Sequence, residues 1–292
     1  MAVLGFDVGG SSVKFAVVEE DGKSLQKGNF PTPKALENFY AEIKKVGEDC
    51  KKNFKIVGAG FSLPGAVDNE SGVIGGSSAI DYIHNFDIKS ELKKILSLPV
   101  EMENDANCAA LGEVWIGAAK DFQDVAFLVI GTGVGGAIVK NKKIHHGKHW
   151  HGGEFGYMLV DEGFEILSLT GATGGMSKKI AKEKNLPKDE MNGKKAFELL
   201  EQGDEVAKNA IEKMYMNLAR GIYNIQYCFD PEIFVIGGAI SERSDFIEKI
   251  DEKIKIIIDK VKVAKIVPKV VRCQFGNDAN ILGAVYNLKT FN

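Results

Sequence analysis

The sequence predicts an α/β protein in which one layout is used twice. Three observations carry this. Apolar strand segments alternate with helical segments along the chain. A strand, a glycine-rich polar turn and a second strand open the chain at 3–18, and the same arrangement recurs at 125–140. Glycine supplies 33 of the 292 residues, well above an average of roughly 7%. Such an excess points to tight turns and to close approach of backbone to ligands.

Val3 to Phe6 is apolar, Asp7-Val8-Gly9-Gly10-Ser11-Ser12 reads as a turn, and Val13 to Val18 is an alternating β-branched strand. Asp21-Gly22 is a hairpin turn that returns the chain along Leu25 to Phe30. Leu36, Phe39, Ile43 and Val46 recur at helical spacing, which predicts a helix over 35–52. Ile56 to Ser62 is a buried strand ended by Pro64-Gly65; a helix over Ile88 to Leu96, a strand over Val100 to Glu103 and a helix over Ala106 to Trp115 follow, closed by Gly117. The layout restarts with a strand at Val125 to Ile130, a turn at Gly131 to Gly136 and a strand at Ala137 to Lys140. Residues 144–175 read as irregular. Helices are expected near 174–184 and 194–201, with a long amphipathic one at 204–228 carrying Val206, Ile211, Met214, Leu218, Ile222 and Ile225. A strand at Ile233 to Ile236 runs into Gly237-Gly238, and the last elements are a helix at Phe246 to Val261, a strand at Lys269 to Arg272 and a helix at Ile281 to Leu288.

At roughly 150 residues per domain, this length suggests two domains or one large one. With 45% hydrophobic and 26% charged residues, the chain can bury a core, which excludes disorder. Lys and Arg number 37 against 40 Asp and Glu, so no cationic excess points to nucleic acid. Cys50, Cys108, Cys228 and Cys273 are far apart with no CxxC pair, so buried reduced thiols are expected rather than disulfides or a closed zinc site. No basic leader or run of about 20 apolar residues is present, and a soluble, cytoplasmic protein is the expectation. No linker is rich in Pro or Ser, so a domain boundary is expected inside folded structure, near 116–124.

Three glycine-rich turns each follow a buried strand, where α/β sheets place ligand loops. In Asp7-Val8-Gly9-Gly10-Ser11-Ser12-Val13-Lys14 the glycines let backbone N–H groups approach a phosphate, the serines add hydroxyls, and Asp7 can hold a water or Mg²⁺. An ordinary hairpin accounts for the same residues. Gly131-Thr132-Gly133-Val134-Gly135-Gly136 matches G-x-G-x-x-G, but a strand rather than a helix follows, which excludes a Rossmann site and suits a hairpin wrapping phosphates. No Walker A sequence occurs. Gly237-Gly238-Ala239-Ile240-Ser241 offers a flat shelf for an adenine or ribose, or simply a strand, a turn and a helix start.

Glu103-Asn104-Asp105-Ala106-Asn107 sits at a strand-to-helix junction. Asp105 there is either a helix N-cap or a general base that accepts a hydroxyl proton in phosphoryl transfer, with Asn104 aligning the acceptor. The loop His149-Trp150-His151-Gly152-Gly153-Glu154-Phe155-Gly156-Tyr157 can present Glu154 to sugar hydroxyls. His145, His146, His149 and His151 invite a metal, yet carboxylate and Cys partners at ligand spacing are missing, so a solvated or substrate-facing loop is the stronger reading.

These five motifs, in order over nearly the whole chain, resemble the ROK family of sugar kinases in the actin-like ATPase superfamily. The resemblance implies two α/β domains with a duplicated ribonuclease H-like core and a cleft between them, split as 1–115 plus 279–292 against 116–278. It implies that Asp7, Gly9, Gly10, Ser11, Ser12, Lys14, Gly131, Thr132, Gly133 and Gly135 hold the phosphates of ATP, and Gly237, Gly238 and Ala239 its adenosine. Pro64, Gly65, Asn104, Asp105, Glu154 and Glu165 would line the sugar site, with Asp105 as base and Mg²⁺ at Asp7, directly or through water. Domain closure would exclude water, and a homodimer is implied. Many members carry Gly-Glu-x-Gly-His and a zinc-binding Cys-rich loop; here Tyr157 takes the His position and the loop shrinks to Val160–Phe164, so no zinc is expected. That departure, with Gly75–Ile80 and Phe86-Asp87-Ile88, resembles the β-glucoside kinase branch, which phosphorylates the 6-hydroxyl of the non-reducing glucose of cellobiose-type sugars. Glucokinase and N-acetylmannosamine kinase share the remaining motifs, and a sugar sensor without turnover is the alternative of another class. Repressors of the family place a helix-turn-helix domain ahead of the sugar-binding part, whereas here Asp7 follows six residues, which argues against DNA binding.

Overall fold

The structure, a computed structural model, describes residues 1–161 and 163–291. β1 (Ala2–Val8) is buried almost throughout, as suits an apolar run with sheet neighbours on both edges. β2 (Ser12–Glu19) returns beside it, and β3 (Ser24–Pro31) alternates half-buried and exposed residues because it lies at the sheet edge. α1 (Leu36–Asn53) buries Phe39, Ile43, Val46 and Cys50, the stripe its spacing predicts. β4 (Ile56–Leu63) leads to a small hairpin of β5 (Ala66–Asp68) and β6 (Val73–Gly75), which the sequence reading lacks. α2 (Ile88–Leu96) starts at Asp87, whose side chain accepts from the Ser90 N–H, and ends at Ser97 in the left-handed region. β7 (Val100–Asn104) and α3 (Asp105–Ile116) meet without a loop, and α3 is buried nearly all round from Asn107 to Val114.

The second set of elements begins with β8 (Val125–Ile130), β9 (Val134–Lys140) and the short β10 (Lys143–Ile144). The second strand starts at Val134 instead of Ala137: Gly135 and Gly136 pair with Val129 and Leu128 inside the sheet, so the turn itself is only three residues long. The stretch 144–175 also holds more order than its composition suggests, with α4 (Leu167–Thr170) and the start of α5 (Thr173–Glu183). α6 (Gly193–Glu201) and the long α7 (Glu205–Phe229) follow; Asp204 caps α7 by accepting from the Ala207 N–H. β11 (Ile233–Gly237), α8 (Phe246–Val261), β12 (Val270–Arg272) and α9 (Ala279–Phe291) complete the chain.

The duplication expected from the sequence is visible in the strand order. One sheet runs β3-β2-β1-β4-β7 and the other β10-β9-β8-β11-β12. In each, three antiparallel strands are followed by two parallel ones, so the two sheets have one topology. The first compact unit holds Met1–Lys120, His146–His151 and the C-terminal residues from Asn277; the second holds Asp121–His145 and Gly152–Gly276. Each has its own core, one including the stacked rings of Phe6 and Phe61 at 4.7 Å, the other Tyr215 against Phe246 at 5.5 Å. Cys50 and Cys108 are buried thiols as expected, whereas Cys228 is exposed and Cys273 half-buried. Among the described residues no helix is long and apolar enough to cross a membrane.

In the first unit α9 packs on α3, β4 and β1 through glycine. A Cβ on Gly283 would stand 1.7 Å from the Cys108 carbonyl oxygen, and one on Gly60 would stand 2.1 Å from that of Ala284. Gly283→Ala gains about 1 kcal/mol of helix propensity, but it forces two backbones apart at a cost of about 1–3 kcal/mol or more. The clash is with backbone, so the cost prevails. The variant should unfold at lower urea concentration than the wild type.

Candidate functional site

The junction of β7 and α3 concentrates the polar residues of the first unit. Asn104, with φ −60° and ψ 150°, is the N-cap: its Oδ1 accepts from the N–H groups of Ala106 (2.9 Å) and Asn107 (3.2 Å). Its Nδ2 donates to the Gly65 carbonyl and to Asp105 Oδ1, both at 3.0 Å. The N-cap reading of Asp105 is therefore corrected. An N-cap needs extended backbone and a side chain aimed back at the next N–H groups, and Asn104 meets both. Asp105 becomes the first helical residue, exposed, at the positive end of the helix dipole. Its Oδ1 also accepts from the Ala106 N–H at 2.8 Å. Gly65 follows Pro64 with φ +101°, a left-handed turn that brings its carbonyl within reach of Asn104.

Glu103, the residue before, is buried and held by four N–H groups. Asn69 Nδ2 donates to its Oε2 (3.1 Å), His146 Nε2 to the same oxygen (2.7 Å), and the Asn104 N–H (2.8 Å) and Asn107 Nδ2 (2.9 Å) to Oε1. Cys108 lies beneath; burial, and then the charges of Glu103, Asp7 and Asp105, hold its thiol protonated well above the usual range. Asp7, at the end of β1, accepts at Oδ1 from Ser62 Oγ and Asn280 Nδ2, both at 3.1 Å, while its Oδ2 stands 3.8 Å from Lys14 Nζ. In the turn that follows, Gly9 donates to the Ser12 carbonyl and accepts from Thr32 Oγ1; Gly10 and Ser11 are exposed. A Cβ on Gly10 would meet that of Ala79 at 2.9 Å, so part of Gly75–Ile80 borders this turn. Ser62, Thr32 and Asn280 carry no local signal of this role in the sequence.

In the second unit, Thr173 at the start of α5 clamps the turn: its N–H and Oγ1 both donate to the Gly131 carbonyl, at 3.1 and 2.6 Å. Ser168 Oγ accepts from the Val134 N–H at 3.0 Å, and a Cβ on Gly133 would lie 2.4 Å from that oxygen. Gly131 and Ala239 line one cavity of about 610 Å³ with Thr173, Asn192, Phe197 and Arg243. The structure thus joins two turns that lie over 100 residues apart in the chain. Gly238 (φ +93°) packs against the Ile130 carbonyl, and its own carbonyl accepts from Ser241 N–H and Oγ. Arg243 lies over the Phe197 ring at 4.0 Å and pairs with Asp245, fixing one wall of the cavity. Thr132 is part of the clamped turn, but Gly135 lies within the strand, against Val129.

Glu154 is exposed just before a single turn of 3-10 helix, Phe155–Tyr157, which Gly153 (φ +90°) and Gly156 seat tightly on β9. Tyr157 is 68% exposed. Glu165 lines a different cavity of about 700 Å³, with Asp161, Lys213, Arg220 and Tyr223. Ser168, three residues on, is the side chain of that segment that packs against Gly133 and Gly156. The histidine loop is not simply solvated, because His146 bonds Glu103 and its ring packs tilted against Trp150 at 4.8 Å. Among the described residues no three His, Cys, Asp or Glu side chains are grouped to hold a metal ion.

The family pattern described as "ROK family" matches residues 3–290. The chain is 32% identical over 294 residues to the "Beta-glucoside kinase" of Listeria monocytogenes, covering 98% of this chain and 97% of the relative. It is 28% identical over 319 residues to the "Glucokinase" of Halalkalibacterium halodurans, covering 98% and 94%. Among solved structures, a ROK family protein from Streptococcus pneumoniae in complex with sucrose superposes with a TM-score of 0.91 at 35% identity, covering 100% of this chain and 99% of that one.

The capping geometry has a direct test. Asn104→Ala removes the one acceptor of both cap bonds and the donor to Gly65, and should lower stability in urea by about 1–2 kcal/mol. Asn104→Ser keeps the cap and should lose less. Equal midpoints for wild type and Asn104→Ala would show that the cap contributes nothing.

Proposed function

The chain belongs to the ROK family, and on that premise we propose that it transfers the γ-phosphoryl group of ATP to the 6-hydroxyl of a β-glucoside such as cellobiose, with Asp105 as general base. Its family and its kinase relatives make it a carbohydrate kinase. The base assignment is carried by one observation: Asn104 takes the capping role, which leaves Asp105 exposed at the start of α3. A carboxylate there can accept the proton of a sugar hydroxyl as the oxygen attacks phosphorus. Pro64, Gly65 and Glu154 are assigned to the sugar. Glu165 keeps a place in that assignment only if substrate reaches its own cavity.

Gly9, Gly10, Ser11, Ser12, Lys14, Gly131, Thr132 and Gly133 are assigned to the phosphates, and Gly237, Gly238 and Ala239, the last of which lines the 610 Å³ cavity, to the adenosine. Gly135 serves this site indirectly, as the strand residue behind the turn. Asp7 suits Mg²⁺ held through water: Ser62 and Asn280 orient one carboxylate oxygen, and a hard cation that keeps most of its waters needs few protein oxygens. Mg²⁺ would supply charge neutralisation on the transferring phosphates. A homodimer belongs to the same proposal; light scattering should return twice the mass of one chain.

The substrate assignment is supported by the higher identity to a β-glucoside kinase than to a glucokinase. It is supported also by a disaccharide in the sucrose-bound neighbour and by an exposed Tyr157 where many members place a zinc-ligating His. The test is ADP release with Mg-ATP and glucose, cellobiose, gentiobiose, N-acetylmannosamine, fructose or allose. Preference for the β-linked disaccharides is expected. Preference for glucose or N-acetylmannosamine would overturn the substrate and keep the kinase; sugar binding without turnover would make the protein a sensor. Asp105→Asn should lower kcat by about 10²–10⁴ with KM little changed. Full turnover in that variant would remove Asp105 from the role of base.

A further inference from the structure

Glu103 is buried, and a buried carboxylate is costly unless its oxygens are met by donors. Three of its four donors come from nearby pieces of the first unit: Asn69 in the β5–β6 turn, the Asn104 N–H, and Asn107 on α3. The fourth is His146, from a segment more than 40 residues further along the chain. Among the described residues, His146 is the one basic side chain within 4 Å of Glu103. The segment His146–His151 belongs to the first unit although the chain before and after it belongs to the second. It is also closed on itself. The Trp150 ring tilts against His146, Trp150 holds φ +60°, and His151 Nδ1 bonds the His149 carbonyl.

We propose that His146 is a positioning residue: its bond to Glu103 latches the loop His146–His151 onto the strand end that carries Asn104 and Asp105, and this latch sets the affinity for the sugar. The sugar part rests on the kinase reading above; the latch itself does not. From His151 the chain runs three residues to Glu154. With the loop anchored, these residues are ordered before substrate arrives. With the anchor cut, their ordering entropy is lost on binding and appears in the sugar KM more than in kcat.

The test compares wild type, His146→Ala and His146→Gln. Glutamine keeps an amide N–H at about the reach of the imidazole Nε2, so it should restore the latch; alanine cannot. Two readouts are taken on the full chain. The first is trypsin cleavage after Lys148, which is exposed within the loop and is cut faster when the loop opens. The second is kcat with separate KM values for sugar and Mg-ATP. For His146→Ala the expected result is cleavage accelerated about tenfold and a sugar KM raised about tenfold, with kcat and the ATP KM within about threefold. His146→Gln should lie near wild type in both readouts. Unchanged cleavage in His146→Ala overturns the latch whether or not any sugar is phosphorylated. Accelerated cleavage with an unchanged sugar KM overturns the link to affinity. An equal loss in every kinetic constant, with a lowered Tm, would mark His146 as merely structural. A wild type that phosphorylates no sugar overturns the kinase reading and the affinity claim together, while the cleavage comparison still decides the latch.

Discussion

The first unit depends on a backbone-to-backbone contact that only glycine admits. α9 lies so close to α3 and β4 that Gly112, Gly283 and Gly60 would each drive a Cβ to within 2.4 Å of a carbonyl oxygen. That contact seats the last helix under the first sheet and places Asn280 where its amide reaches Asp7, 273 residues earlier in the chain. The second unit uses the same device where Gly156 meets the Val134 carbonyl and Gly238 meets that of Ile130. Much of the glycine excess therefore serves packing of backbone on backbone, as well as the ligand turns it first suggests. Dense packing leaves no slack for a methyl group at such places.

A second constraint is electrostatic. Glu103 is buried one residue before Asn104 and two before Asp105, and the N–H groups that stabilise its charge also tie a hairpin turn, a helix and a distant loop to the same strand end. Asp105 is exposed on this platform, while Glu103 is spent on structure. Two carboxylates two residues apart take different parts because Glu103 still lies in β7, among its buried donors, whereas Asp105 is the first residue of α3, where the backbone has left the strand. The capping amide of Asn104 stands between them and bonds Asp105 directly.

The candidate site was legible wherever its residues lie together in the chain. The Asp7–Ser12 turn, the Glu103–Asn107 junction and the Gly237–Ser241 shelf stand at strand ends, where periodicity and glycine content mark them, and the Gly152–Tyr157 loop is marked by its glycines. What could not be read is which distant side chain closes each piece. Thr173 clamps Gly131, Ser168 reaches Val134 and Gly156, and Arg243 with Phe197 walls the cavity beside Ala239. None carries a local signal, because a lone Thr, Ser or Arg on a helix or turn looks like surface. The exchange of capping roles between Asn104 and Asp105 has the same origin. Both residue types cap well, and the choice follows from where β7 ends relative to β4 and Gly65.

The sequence by itself determined the α/β class, the repeated strand–turn–strand layout and the order of nearly all strands and helices, because these follow from local periodicity, β-branching and breaker residues. It also carried the family resemblance, since that lies in short contiguous motifs. Only the tertiary structure decided that the two sheets share one strand order, that Gly135 lies in a strand and not a turn, and that Asn104 caps α3. It likewise decided that His146 joins Glu103 and that Glu165 and Ser168 face different surroundings. These outcomes rest on hydrogen bonds and contacts between residues far apart in the chain. Which of several chemically equivalent partners is used is a matter of position in space, and no local pattern encodes it.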